Sequence, residues 1–214
     1  MKTQLLIIRL ADDFRAPDRH ALGRRFLVAL SLGIAFALLG VTSIWGVRPD
    51  LETVAPTPLF GAKLIFPVAM IALTIWIAAR LAIPGAKTRP AWMMLMATNI
   101  VLWCATLSTV AAAAPGERVD LLLGHTWHSC SFRIAVLSVP ALIAFSWAMR
   151  GLAPTRFREA GAAVGLLAGA IGTFAYTLRC PEMSVTFWAV WYSLGMAIPA
   201  LISLIAARRA FRWE

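Results

Sequence analysis

The chain has 214 residues, 60% of them hydrophobic and only 14% charged, with a formal net charge of +10. Its mean hydropathy of +0.77 excludes a soluble globular domain, which is nearer half apolar and a quarter charged. Six helices apolar all round would leave such a domain almost no wettable surface, so the fold class is all-α: a polytopic membrane protein.

The polar N-terminal stretch comes first. Thr3 is placed to cap a helix and Pro17 to end it. Leu6, Ile7, Leu10 and Phe14 form an apolar stripe, with Gln4, Asp12 and Arg15 opposite. A helix of about twelve residues is marginal alone. It needs a surface, either the membrane interface or the groove of a cytoplasmic protein that takes the apolar anchors. The paired acids Asp12 and Asp13 sit badly on anionic lipid and favour the protein.

A span needs roughly 20 mostly apolar residues. Six runs qualify, at about 27–47, 59–79, 91–113, 132–149, 160–178 and 185–206. The first begins after about 25 polar residues with no cleavage site, which predicts a membrane anchor rather than a signal peptide. The expected organisation is a cytoplasmic tail over 1–25 and a six-helix transmembrane domain over 26–214, with short loops and antiparallel neighbours.

With both termini cytoplasmic, fifteen of the twenty lysines and arginines face inward. The other side keeps Arg48, Lys63, Arg118, Arg133 and Arg179. That bias recurs at every loop and sets the orientation. The basic face reads as topology plus anionic headgroups, not as a nucleic-acid surface. Trp45, Trp188 and Trp191 fall near the outer interface, and Trp92, Trp147 and Trp213 near the inner one.

Within the spans, Lys63 lies close enough to the outer end to snorkel. Pro67, Pro140 and Pro199 are expected to kink their helices. Asn99 is expected to bond across helices and Cys104 to fill the core as a small apolar residue. No ionisable group sits at the centre of a span, which counts against an ion pump or proton-coupled transporter. In the fifth span Gly161, Gly165, Gly169 and Gly172 open a groove on the helix for close packing. Packing within the chain is the simpler use of that groove, and a homodimer face the other.

Cys130 opens the fourth span and Cys180 closes the fifth. Each is 25 residues from Thr155 in the connecting turn. Equidistant residues of an antiparallel hairpin lie at one depth, so both thiols meet at the outer side. A structural disulfide, a reactive sensing pair and a soft metal held between two thiolates all fit that placement. No Cys-x-x-Cys marks a catalytic exchanger. Pro181 is expected to end the helix and leave the Cys180 sulfur reachable. His125 and His128 share a face if the segment is helical, with Cys130 roughly opposite. The two histidines and Cys130 bind one metal only if 125–130 is a loop, and Glu182 is a further candidate oxygen ligand.

Several stretches together resemble the NrsF family of polytopic anti-sigma factors. They are Leu5-Leu6-x-x-x-Leu10 with Asp12-Asp13, the Cys130 segment, Ala153-Pro154-Thr155, Ala160-Gly161-Ala162 through Gly169-Ala170, Tyr176-x-x-x-Cys180-Pro181-Glu182, Trp191-Tyr192 and the terminal Trp213. The similarity runs along essentially the whole chain and is most specific from 130 to 192. It implies six spans in the bacterial inner membrane and a sigma factor of the extracytoplasmic-function sigma F type as partner. That partner would be held at the cytoplasmic side by Leu5, Leu6, Leu10, Asp12, Asp13 and Phe14. By the same resemblance, the periplasmic Cys130 and Cys180 respond to heavy-metal stress such as chromate or cadmium.

The expected function is a non-enzymatic anti-sigma factor that releases its sigma factor when the cysteine pair senses heavy-metal or oxidative stress. It needs no obligatory cofactor, only a transient heavy-metal ion at Cys130 and Cys180, and no nucleic acid; its oligomeric state is open. The rivals are a small transporter or metal-handling permease, with the histidines and thiols as entry site, and a membrane thiol oxidoreductase.

Overall fold

The computed structural model describes residues 20–83, 85–152 and 154–211. The tail residues Leu5, Leu6, Leu10, Asp12, Asp13 and Phe14 lie outside them, as does Trp213. Among the described residues every regular element is helical, and six helices are long and apolar enough to cross a membrane.

The first span, Ala21–Trp45, is α-helical to Gly40 and widens to a π-helix over Val41–Trp45. The hydroxyls of Thr42 and Ser43 donate back to the carbonyls of Leu38 and Leu39 at 2.9 and 2.5 Å. In lipid no water would satisfy those groups. Gly46, at φ 74°, ends the span. The second span, Pro58–Leu81, starts on an N-cap, where Thr57 Oγ1 accepts from the Phe60 amide at 3.3 Å. Pro58 at the first helical position costs no hydrogen bond there. The third span, Arg89–Ala112, is peripheral.

The fourth span is broken near its start. A short helix, Arg118–Leu123, stops at Gly124 (φ 57°), and the long helix Trp127–Arg150 follows. The fifth span is Phe157–Thr177 and the sixth Val185–Ala210, with a second π-helical turn at Trp188–Tyr192. All six spans overlap the runs read from sequence. The fourth begins earlier than expected because its interfacial turn is helical too.

The fifth span is the axis of the bundle. Of its most apolar stretch 83% is buried, against 11% for the third span. It packs on the sixth, fourth and second spans, while the first leans mainly on the fourth. The glycine groove explains this. A Cβ on Gly161 would come within 2.6 Å of Ser203 O, on Gly165 within 2.4 Å of Pro199 O, and on Gly169 within 2.7 Å of the Met196 Cα. On Gly172 it would meet Ile134 O at 2.6 Å. Three glycines therefore admit the sixth span and the last admits the fourth. The groove is filled by the chain's own helices, which leaves it no room for a homodimer face.

Two polar residues of the third span fare differently. Asn99 is half-buried and bonds across helices as expected, donating to Met70 Sδ of the second span at 3.6 Å as well as to Leu95 O on its own helix at 2.9 Å. Cys104 is exposed, not a core residue, because the third span presents most of its surface outward.

At the terminal face, which carries the start of the first span and the end of the sixth, Arg156 joins two loops. It donates to Ala86 O at 2.9 Å and Thr88 Oγ1 at 3.3 Å, and pairs with Glu159 at 3.0 Å. Arg150 donates to Ala210 O, and the Arg25 guanidinium lies 5.7 Å above the Trp147 ring.

Candidate functional site

The opposite end of the bundle gathers the cysteines. Cys130 stands in the first turn of Trp127–Arg150, its amide bonded to Thr126 O at 3.1 Å. Cys180 follows the fifth span, its amide bonded to Tyr176 O at 3.0 Å. Both are free thiols and both are fully buried. Each sulfur lies within electrostatic reach of the other. The symmetric spacing about Thr155 thus brings the two together, but the expectation of a reachable sulfur fails. Pro181 is exposed, whereas the residues around it fold back as a lid over Cys180.

That lid is bolted down by cations. Lys63 has no exposed surface, so it does not snorkel. Its ammonium donates to Cys180 O at 2.8 Å and Glu182 O at 2.7 Å, and lies 5.9 Å from the Trp188 ring centre. It also faces the Cys180 side chain. Arg48, from the loop after the first span, adds a longer bond to Cys180 O at 3.3 Å. Its amide bonds Leu178 O at 3.1 Å. Two carbonyls and a ring face replace water around a buried ammonium that has no salt bridge to an acid among the described residues.

Glu182 fastens the lid to the fourth span. Its carboxylate accepts from the His125 amide at 2.8 Å and from Thr126 Oγ1 at 3.4 Å. Gly124 makes room: a Cβ there would lie 2.9 Å from the carboxylate. Trp188 Nε1 donates to Glu182 O at 3.1 Å, Trp191 Nε1 to Leu122 O at 2.8 Å, and Thr186 to Leu121 O. The π-helical turn carries Trp188, Trp191 and Tyr192 into this cluster. Such turns recur at functional sites because they re-aim side chains.

The chain has two tyrosines, and both are here. Tyr176 and Tyr192 are fully buried, with ring centres 6.3 Å apart. Tyr176 lies beside Cys130 and Thr126, Tyr192 beside Cys180 and Thr177. Neither hydroxyl makes a hydrogen bond of normal geometry, and nor does the buried Ser193 Oγ.

Residues 10–213 match the family described as NrsF, negative regulator of sigma F. The chain belongs to the NrsF family. Among its relatives, the probable anti-sigma-F factor NrsF of Azospira oryzae is 38% identical over 213 residues, covering 100% of both chains. The anti-sigma-F factor NrsF of Caulobacter vibrioides is 37% identical over 218 residues, again covering 100% of both. No solved structure matches.

Of the sequence-derived residues of this NrsF-family chain, the structure brings together Cys130, Cys180 and Glu182. His125 and His128 are exposed, and His128 stacks on Trp127 at 3.6 Å. Among the described residues no three His, Cys, Asp or Glu side chains converge as metal ligands. Sequence reasoning missed Lys63, Arg48 and the tyrosines. Their signal was present: a lysine six residues into an apolar span, and the only two tyrosines each within a few residues of the cysteine or the tryptophans.

Outside the membrane, Arg48 pairs with Asp50 through two bonds of 2.7 and 2.6 Å. The hydrogen bond from Arg48 is the main cause that holds the Asp50 carboxyl below the ordinary value of 3.8. A carboxyl lowered by folding stabilises the fold above its unfolded value and loses that contribution as pH falls through the folded one. The melting temperature of Asp50→Asn in detergent is therefore expected below wild type at neutral pH and to converge with it as pH falls below about 4. A gap that persists into acid would show that the pair does not contribute through its charge.

Proposed function

We propose that this chain is a membrane-embedded anti-sigma factor, regulatory rather than catalytic. It restrains an extracytoplasmic-function sigma factor of the sigma F type at a cytoplasmic terminal face. It lets that factor go when Cys130 and Cys180, on the periplasmic side of the inner membrane, meet heavy-metal or oxidative stress. The observation that carries the reading is similarity over full length to relatives named as anti-sigma-F factors.

The architecture supports this division of labour. The first span, which follows the tail with Leu5, Leu6, Leu10, Asp12, Asp13 and Phe14 in sequence, starts at one end of the bundle, and the thiols lie at the other. The fifth span runs between them for 21 residues, roughly 30 Å at 1.5 Å per residue. It packs on the second, fourth and sixth spans, so a change at Cys180 has a continuous path to the loop held by Arg156. A signal shifts the balance only by favouring one of two bundle states. The segment held by Lys63, Arg48 and Glu182 is the element such a signal would release.

The test is co-purification of the co-expressed sigma factor with the detergent-solubilised protein. Wild type is expected to retain it. Deleting residues 1–15 is expected to lower the retained fraction at least about tenfold, by removing the apolar anchors. The Cys130→Ser, Cys180→Ser double variant is expected to retain the sigma factor yet not release it on exposure to Cd2+ or peroxide. No capture by wild type would sink the anti-sigma reading. Normal release from the double variant would sink the sensing one.

A further inference from the structure

We infer that Lys63 and Tyr192 form a donor site for negative charge on the Cys180 sulfur, so that Cys180 is the sulfur a hydroperoxide oxidises first and Cys130 the one that closes the disulfide. The inference rests on the reading of these cysteines as the responsive pair and names the chemistry of the response.

The first argument is the lining. Burying a hydroxyl without a partner is costly, and native structures rarely tolerate it. Here two such groups, Tyr176 and Tyr192, sit together, each beside one of the cysteines. An ammonium only donates, and each phenol hydroxyl, beside a cysteine and without a hydrogen bond of normal geometry, has a proton to give. These groups suit an anion or an oxygen atom arriving on sulfur. They suit a bare metal cation poorly: Lys63 is a positive neighbour of Cys180, and no third ligand of metal-binding type joins the pair among the described residues.

The second argument is asymmetry. Both cations of the site, Lys63 and Arg48, reach the Cys180 carbonyl, and Tyr192 faces the Cys180 side chain. Cys130 has Tyr176 beside it and both Lys63 and the Glu182 carboxylate within reach, whereas Arg48 faces Cys180. Arg133 completes the charged surroundings on the Tyr176 side. Lys63 and Arg48 thus hold the Cys180 end of the pair, while an acid stands near Cys130.

The chemistry then runs in two steps. The Cys180 sulfur attacks one oxygen of the hydroperoxide. An S–O bond forms, the O–O bond breaks, and the other oxygen leaves with the thiol proton as water or an alcohol. The Cys130 sulfur next attacks Cys180. An S–S bond forms, the S–O bond breaks, and the oxygen leaves as water with the proton of Cys130. Two thiols are oxidised to one disulfide, and the peroxide is reduced.

The experiment uses the full chain in detergent, in a Cys104→Ala background, with hydrogen peroxide as oxidant. Sulfenic acid is trapped by dimedone and located by mass spectrometry. Cys130→Ser is expected to trap adduct at Cys180 about tenfold faster than Cys180→Ser traps it at Cys130. Lys63→Met is expected to abolish that preference. Tyr192→Phe, which removes one oxygen atom, is expected to slow the Cys180 reaction about threefold and keeps the test open if Lys63→Met fails to fold. Cd2+ alone is expected to bind more tightly to a folded Lys63→Met variant than to wild type. Equal rates at the two sulfurs, an unchanged preference in folded Lys63→Met, or weaker Cd2+ binding to it would overturn the inference. Sigma-factor release is not read here, so this chemistry and the sensing reading stand or fall separately.

Discussion

Replacing Gly165 by leucine is expected to leave no stable bundle. A single Cβ at this position would lie 2.4 Å from Pro199 O and 2.5 Å from the Ala200 Cα. Both are backbone atoms of the sixth span and cannot turn aside as a side chain would. The two helices must separate along the groove, and in lipid the packing lost is what holds them together. Overpacking by one methylene already costs about 1–3 kcal/mol. Gly165→Ala is expected near the top of that range, and leucine, with four added carbons, beyond a typical total stability margin. Thermal melting and size-exclusion profiles in detergent measure both variants. Gly61→Ala is the control, since its added Cβ meets nothing within 4 Å. It should melt within a degree or two of wild type. A Gly165→Leu variant that melts like wild type would refute the packing described for the fifth span.

The second large effect is expected from Lys63→Glu. Lys63 is fully buried between the carbonyls of Cys180 and Glu182. Glutamate there turns two acceptors toward two acceptors and leaves a buried charge without a partner, a loss of about 3–5 kcal/mol if the lid stays shut. The lid is therefore expected to open. Lys63→Met should be far milder, because each carbonyl keeps one donor: Arg48 on Cys180 O at 3.3 Å and Trp188 on Glu182 O at 3.1 Å. Labelling with a membrane-impermeant maleimide separates the cases. Cys180 is fully buried in the wild type and should label slowly, while Lys63→Glu should label at the rate of an exposed thiol. Equal labelling of wild type and Lys63→Glu would show that the cation does not hold the lid.

The sequence carried the spans because lipid demands long apolar runs, and it placed the two cysteines at the same end because an antiparallel hairpin keeps a register that counting can follow. The glycine groove was legible as a groove. Only the packed bundle shows that the fourth and sixth spans, Ile134 and Ser203 among their residues, fill it. Lys63 was misread for a physical reason. Its depth is compatible with snorkelling, but the Cys180–Glu182 segment folds over it and offers two carbonyls in place of water. Cys104 was misread because an apolar span does not reveal which helix is peripheral. The lid escaped notice because its bolts are backbone carbonyls and distant side chains, such as Glu182 on the His125 amide, with no short-range pattern to mark them.

The most buried helix is also the least apolar of the six. The fifth span owes its place to companions rather than to lipid, since glycines that fit another helix closely gain little from acyl chains. During synthesis the fourth span precedes it and can shelter one edge, at Gly172. The side bearing Gly161, Gly165 and Gly169 stays uncovered until the sixth span emerges from the ribosome. Biogenesis therefore has a window in which the future axis of the molecule is its weakest insert, and arrival of the last helix closes it. A nascent chain cut short before residue 185 would leave that glycine face without its partner helix.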